Sequence, residues 1–133
     1  MWRRDAAIVS HFEVDGGKTV EFRKRRLAAD IRRVIVYATA PRQLVIGQFE
    51  VGDVVVGSPA VLWVRFGTHG LIDEPDFSRY YGDLPAGAAI VARNPVRYAT
   101  PFTLEQLRPG VSVPQSVVYT RLGSLNVPRT SFL

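Results

Sequence analysis

The chain has 133 residues, of which 47% are hydrophobic and 22% charged, and its net charge at neutral pH is +5. This size predicts one globular domain over residues 1–133, and no apolar run approaches the roughly 18 residues of a membrane-spanning helix. The chain has no cysteine, which excludes disulfides, thiolate metal sites and cysteine nucleophiles. No signal peptide is recognisable, so we expect a cytoplasmic protein without membrane contact.

The N-terminal segment is predicted to form a short helix at residues 6–12, followed by a glycine turn. Ile8, Val9 and Phe12 recur at helical spacing on one face of that segment. The glycine turn at residues 16–17 then leads directly into a strand.

This first strand alternates apolar and polar side chains, which point to opposite sides of a sheet. Val20 and Phe22 are expected to face the core. The opposite face carries Thr19, Glu21, Arg23 and Arg25, with Lys18 at the mouth of the strand. Five of the six positions from 21 to 26 are ionisable. Such density favours a surface that binds an anion or polynucleotide, although a solvated strand face also carries mixed charge.

The positive charge is concentrated around this strand. Residues 1–33 contain nine Lys/Arg against five Asp/Glu, whereas residues 34–133 contain eight against seven. Fifteen of the seventeen basic residues are arginine, whose planar guanidinium suits phosphate binding. A GC-rich coding bias would also enrich arginine.

The rest of the chain predicts short strands separated by turns and small helices. Strands are predicted at residues 33–39, at 43–56 as one strand or two, at 88–92 before a break at Asn94-Pro95, and at 114–120. Helices are predicted to begin at Ser58-Pro59, to span residues 73–82 and to form one turn at 103–107. The tail at residues 123–133 shows no clear period and is expected to be partly loose. These elements predict an α+β fold with a compact barrel.

The sequence at residues 16–23, Gly-Gly-Lys-Thr-Val-Glu-Phe-Arg, resembles the signature of ASCH domains, which belong to the PUA-like superfamily. Residues 36–41, 45–49 and 114–116 are similar to later segments of that family in the same order, and the resemblance covers roughly residues 10–120. It implies a small PUA-like β-barrel with short flanking helices. It also implies a cleft beside the first strand that takes RNA or a nucleotide.

ASCH domains usually begin with a strand and a helix before the glycine turn, but here only fifteen residues precede Gly16. We therefore expect that strand to be missing. An open sheet edge at this place would pair with a second chain, which gives a dimerisation hypothesis.

The candidate site is centred on Lys18 and Glu21. They are interpreted as nucleotide contacts, as a general acid and base, or as a structural ion pair. The full set of candidate nucleic-acid-binding residues is Lys18, Thr19, Glu21, Arg23, Lys24, Arg25, Arg26, Tyr37, Gln115 and Ser116. Trp63 is predicted in the core, and at least one of Tyr80 and Tyr81 is predicted to reach solvent or a ligand.

The function favoured by these residues is a nucleic-acid-binding module for RNA or a nucleotide, with DNA as a possible partner. The alternative is a small metal-independent hydrolase that uses Lys18 and Glu21. A related branch resembles ribonucleases, for which Arg23, Tyr37 and Ser116 are further candidates. Another branch resembles amidohydrolases with a threonine three residues after the lysine; because this chain has Glu21 there, that activity is not expected. His11 and His69 lie far apart in sequence, so no metal site or cofactor is expected.

Overall fold

A computed structural model describes residues 4–10, 19–115 and 117–128 of the chain. The strands are β1 (Ala6–Ser10), β2 (Val20–Arg23), β3 (Arg33–Ala38), β4 (Leu44–Gly57), β5 (Gly87–Phe102) and β6 (Val117–Thr120). The α-helices are α1 (Pro59–Phe66), α2 (Glu74–Tyr81) and α3 (Leu104–Leu107), and single 3-10 turns lie at Gly67–His69 and Leu122–Ser124. The strands form one mixed sheet in the order β2-β5-β4-β3-β1-β6, which confirms the predicted α+β class.

Closure of this sheet into a barrel is not confirmed. Within the described ranges, the edge strands β2 and β6 do not pair with each other. The basic segment that follows β2 lies between them, and the Ala28 amide donates to the Tyr119 hydroxyl of β6 at 3.1 Å. A side-chain contact of this kind brings the two edges near each other without a backbone ladder.

The first strand, β1, corrects two expectations. Residues 6–10 form a strand instead of a helix, and β1 lies inside the sheet, parallel to β3 and antiparallel to β6. All five of its residues are buried. A short apolar run of this kind fits a buried strand as well as a helix, and neighbours on both sides decide in favour of the strand. The strand that we expected to be missing is therefore present. Because β1 is paired on both sides, dimerisation through an open edge at β1 loses its structural basis.

Strand β5 also continues where a break was predicted. Glu50 pairs with Arg93 and Gln48 pairs with Val96, so two residues of β5, Asn94 and Pro95, lie opposite one residue of β4. Asn94 adopts a φ of 51°, a left-handed conformation that asparagine tolerates. The resulting bulge accommodates the proline, which has no amide proton for the ladder, without ending the strand.

The predicted helix starts are confirmed by their caps. The Ser58 side chain accepts the Val61 amide at 3.3 Å, and the Asp73 carboxylate accepts the Asp76 amide at 2.9 Å. Helix α2 ends at Gly82, whose φ of 56° suits a residue without a side chain. The predicted turn at 103–107 is α3, which Thr103 caps.

The two faces of the sheet carry separate hydrophobic clusters. One, which we call the Ile90 cluster, includes Val36, Phe49 and Ile90, together with Leu27 from the loop after β2. The other, which we call the Tyr98 cluster, includes Ile35, Tyr98 and Leu104, together with Leu125 from the C-terminal segment. A third cluster packs α1 and α2 against β2 and β5, and its margin includes Trp63, as predicted.

The C-terminal segment is more ordered in its packing than predicted. Leu125 is 9% exposed and joins the Tyr98 cluster, so the part of the predicted loose tail up to residue 128 packs on the sheet. Residues 129–133 of that tail lie outside the described residues. No helix in the described part of the chain is long and apolar enough to cross a bilayer.

Candidate nucleic-acid interface

A groove of about 310 Å³ lies where β2 ends, between the two edges of the sheet. We call it the basic groove; it is lined by Arg23, Lys24, Arg25, Arg26, Leu27, Tyr80, Val117 and Tyr119. Leu27 and Ile31 are buried in the Ile90 cluster and draw the chain inward after β2. The three residues before Leu27 are left exposed at the surface. Four consecutive cations therefore border one groove, which favours an anionic ligand.

The tyrosines at the end of α2 fix the backbone of the basic groove. The buried Tyr81 hydroxyl shares its single proton between two acceptors, the carbonyl of Arg23 at 3.0 Å and the carbonyl of Ala88 at 3.3 Å. The backbone amide of Lys24 donates to the Tyr80 hydroxyl at 3.1 Å. The Lys24 ammonium lies 5.1 Å from the centre of the Tyr80 ring, a cation–π distance.

Tyr80 and Tyr81 differ in exposure as predicted. Tyr80 is 36% exposed, whereas Tyr81 is 2% exposed. No local pattern indicated that either ring would lie against the cations at residues 23–26, because that contact depends on the pairing of β2 with β5.

Glu21 is 7% exposed, so the expected solvated polar face of β2 is wrong at this position. It pairs with Ile90 and lies on the same face of the sheet as the Ile90 cluster, which includes Leu27. Burial raises the pKa of Tyr81, and the negative charges of neighbouring Tyr80 and Glu21 raise it further. Burial likewise raises the pKa of Tyr80, while the positive charge of Arg23 opposes this. Glu21 and Arg23 therefore lie within electrostatic reach of both tyrosines.

The opposite wall of the groove comes from β6. The Tyr119 hydroxyl accepts the Ala28 amide, and the Arg4 guanidinium lies 4.8 Å from the centre of the Tyr119 ring. Arg4 was not among the predicted site residues, since only the pairing of β1 with β6 brings it here.

Three other predicted site residues lie apart from the basic groove or at its margin. Tyr37 is 4% exposed and packs in the Tyr98 cluster, on the sheet face opposite Glu21. Gln115 is exposed, and its carbonyl accepts the Ser10 hydroxyl at 3.3 Å. Thr19 extends β2 through its backbone. Its amide donates to the backbone carbonyl of His69, and its carbonyl accepts the backbone amide of Ala92.

Lys18 and Ser116, like His11, lie outside the described residues, so their roles stay predictions. His69 is exposed at the end of a 3-10 turn and contacts the Thr68 hydroxyl. Within residues 4–10, 19–115 and 117–128, no group of three histidine or acidic residues is arranged to hold a metal ion.

The chain is 33% identical over 111 residues to an ASCH domain-containing ribonuclease of Zymomonas mobilis, a match that covers 81% of this chain and 75% of the relative. It is also 27% identical over 89 residues to the large ribosomal subunit protein uL22 of Ureaplasma parvum, of which the match covers 29%. No family model matches the chain.

Solved structures of the same Zymomonas mobilis family member also match this chain in fold. The crystal structure of ASCH from Zymomonas mobilis matches with a TM-score of 0.76 and 28% identity over 90% of each chain. A variant of that protein with a serine replaced by alanine and another with a tyrosine replaced by phenylalanine each match with a TM-score of 0.75. The N-terminal domain of Staphylothermus marinus McrB, at 15% identity and a TM-score of 0.55 over 87% of this chain and 88% of that one, shares the fold alone. The sequence identity to the Zymomonas mobilis relative, together with this shared fold, shows that the chain belongs to the ASCH domain family.

Proposed function

We propose that this protein binds RNA in the basic groove. The observation that carries the proposal is the run of four cations, Arg23 to Arg26, beside the rings of Tyr80 and Tyr119. The relationship to a protein named as an ASCH domain-containing ribonuclease supports RNA as the class of nucleic acid.

The two kinds of side chain have different tasks in this proposal. Arg25 and Arg26 are exposed and neutralise phosphates, since guanidinium groups pair well with phosphate oxygens. Tyr80 presents a partly exposed ring on which an unpaired base can stack. Its hydroxyl accepts the Lys24 amide, so the ring is held close to the cations.

Fluorescence anisotropy with labelled single-stranded RNA, titrated at low and high salt, tests the proposal. Binding should weaken as salt rises, because each neutralised phosphate releases condensed counterions. DNA of the same sequence, titrated in parallel, decides whether the 2′-hydroxyl contributes. An absence of RNA binding even at low salt would contradict the proposal.

A second candidate function is RNA cleavage without a metal ion, which the name of the Zymomonas mobilis relative favours. In such a reaction the 2′-oxygen attacks the adjacent phosphorus and the 5′-oxygen leaves, giving a 2′,3′-cyclic phosphate. A base removes the 2′-hydroxyl proton, an acid protonates the leaving oxygen, and a cation stabilises the charged phosphorane. Glu21 and Lys18 are the proposed base and acid, and Arg23 is the proposed cation.

The substituted residue types in the relative's solved variants, one serine and one tyrosine, support testing Tyr37 and Ser116 as well. The experiment follows RNA fragments on a gel in the presence of EDTA and analyses them for cyclic phosphate. Glu21→Gln, which keeps the size of the side chain, should fold and lose cleavage. Asp53→Asn, the same change at an exposed position of β4, is the matched control. Full cleavage by Glu21→Gln would exclude Glu21 as the base.

A further inference from the structure

Helix α1 is apolar on all sides, yet its outer face is exposed. Seven of its eight residues are apolar, and Arg65 is the exception. Leu62 is fully buried, whereas Val61 is exposed and Val64 is 84% exposed. A helix without a polar face is typically enclosed by protein on every side. The outer face of α1 therefore lacks the covering partner that its composition predicts, within the part of the chain that the structure describes.

A groove of about 360 Å³ lies beside this face, between α1 and α2. We call it the interhelical groove. Trp63 and Val64 line it on the side of α1, and Phe77 and Tyr81 line it on the side of α2. Phe77 and Tyr81 are buried, and the Phe77 ring lies 5.0 Å from the Trp63 ring, measured between ring centres. Packed aromatic rings thus form the base of an apolar groove.

The charged residues around the interhelical groove are mostly acidic. Residues 53–86, which include both helices, contain five Asp/Glu against two Lys/Arg, although the whole chain has a net charge of +5. One of the two arginines, Arg79, is in an ion pair with Asp76. Glu74 lines the groove at the start of α2, and Asp83 lies just beyond the end of α2; both are exposed. The local charge is therefore opposite to that of the basic groove.

These features select the chemistry of a partner. The apolar groove between two helices accepts the apolar side of a third helix, since the side-chain ridges of one helix pack into the grooves of others. Helix α2 is about 12 Å long, which matches two turns of such a partner. The acidic residues attract a partner that carries Lys or Arg beside its apolar side chains, and they repel nucleic acid.

We propose that the interhelical groove binds a basic amphipathic helix of another protein. The apolar side chains of this helix pack on Trp63 and Val64, and its basic side chains lie near Glu74 and Asp83. The proposal does not depend on RNA binding, because the interhelical groove and the basic groove have no lining residue in common.

Isothermal titration calorimetry with synthetic peptides tests the proposal. The probe is a peptide of leucine and lysine, about 15 residues long, with its leucines on one face of a helix. One control has the same composition in scrambled order, and the other has glutamine in place of lysine.

The amphipathic lysine peptide should bind at least about tenfold more tightly than the scrambled one, because only the ordered peptide can bury several leucines in one groove. It should bind about fivefold more tightly than the glutamine peptide at low salt, since exposed ion pairs contribute modestly. An absence of binding, or equal binding of the ordered and scrambled peptides, would overturn the proposal. Equal binding of the lysine and glutamine peptides would overturn the assignment of a basic partner.

A variant of the groove tests the location. Val64→Lys should weaken binding of the lysine peptide at least about tenfold, because it replaces an apolar contact by a charge that repels the peptide. Val113→Lys is the matched control, since Val113 is 61% exposed and does not line the groove. Both variants have the same net charge. Equal affinity of the two variants for the peptide would contradict binding in the interhelical groove.

A second pair of variants tests the contribution of charge. Glu74→Gln should weaken binding of the lysine peptide about threefold at low salt, because it removes one exposed attractive charge. Asp30→Asn makes the same change in charge at an exposed position outside the groove and should bind like the wild type. Identical affinities of these two variants would contradict the role of Glu74 in attracting a basic partner.

Discussion

The hydroxyl of Tyr81 donates to the backbone carbonyl of Arg23 at 3.0 Å, which joins the last turn of α2 to the first residue of the basic segment. The same hydroxyl reaches the carbonyl of Ala88 at 3.3 Å, so one buried side chain ties helix α2 to both β2 and β5. The position of the cations along the groove thus depends on a helix that contributes no charge of its own to the groove.

Tyr81→Phe should lower the free energy of unfolding by about 1–2 kcal/mol, because it removes the hydrogen bond that the buried hydroxyl makes to the Arg23 and Ala88 carbonyls. It should also weaken RNA binding, since the backbone at Arg23 is no longer held. Tyr80→Phe is the matched control for stability: its hydroxyl is only partly buried and accepts a single amide. Urea denaturation of both variants gives the comparison, and an equal loss in the two would contradict the anchoring role of Tyr81.

Replacing Arg25 and Arg26 together by alanine should reduce both RNA affinity and its dependence on salt. Each phosphate contact in a single strand contributes about 0.7 to the slope of log affinity against log salt, so the slope should fall by about 1.4. The control is the double replacement of Arg42 and Arg121, which are exposed and lie outside the groove. Identical slopes for the two double variants would contradict phosphate binding in the basic groove.

Gly87→Ala should destabilise the protein by about 1–3 kcal/mol, because the core is already filled at this position. An added Cβ at Gly87 would lie 2.3 Å from Cε1 of the buried Tyr81 ring. Gly123→Ala, where an added Cβ meets nothing within 4 Å, should change stability by no more than about 0.5 kcal/mol. Thermal unfolding of the two variants measures the difference. Similar melting temperatures would contradict the prediction, because they would show that the Tyr81 ring moves aside without a cost in stability.

Stability should decrease in alkaline solution. Burial raises the pKa of Tyr98 above its ordinary value of 10.0, although the positive charge of Arg33 acts in the opposite direction, and burial raises the pKa of Tyr81 as well. Above pH 10.0 the unfolded chain releases these protons while the folded protein retains them, so the free energy of unfolding falls as the pH rises. Below that pH the contribution is fully present.

Urea denaturation between about pH 8 and 11 measures this dependence. Tyr98→Phe should give a shallower decline than the wild type, even though it also loses the hydrogen bond to Gln48 and is less stable at neutral pH. If the free energy of unfolding fell equally steeply with pH in the two proteins, the Tyr98 proton would not contribute to the loss of stability in alkaline solution.

The elements predicted correctly from the sequence have strong local signals. Strand β3 is rich in β-branched residues, and α1 and α2 begin at a capping side chain followed within two residues by proline. Local signals were insufficient at β1, because five apolar residues fit a helix or a buried strand equally well. At Asn94-Pro95 the sequence indicated a break, but the bulge opposite β4 depends on pairing between distant segments.

The candidate site was predictable only in part for the same reason. The cations at residues 23–26 are consecutive, so their clustering needs no tertiary structure. Tyr80, Tyr119 and Arg4 join them through strand pairings that span most of the chain. The burial of Glu21 was missed because it depends on the pairing of β2 with β5, which places Glu21 on the face of the Ile90 cluster.

The pairing of β1 with β6 has a consequence for synthesis on the ribosome. Ala6 pairs with Thr120 and Ile8 with Val118. The interior strand β1 is therefore translated long before β6, the neighbour with which it pairs. Contacts between such distant segments make folding slow. While the chain is being translated, one edge of β1 stays unsatisfied, and nascent chains that stall before residue 117 cannot complete the sheet. Such arrested chains expose an apolar strand, which makes them substrates for chaperones and proteases.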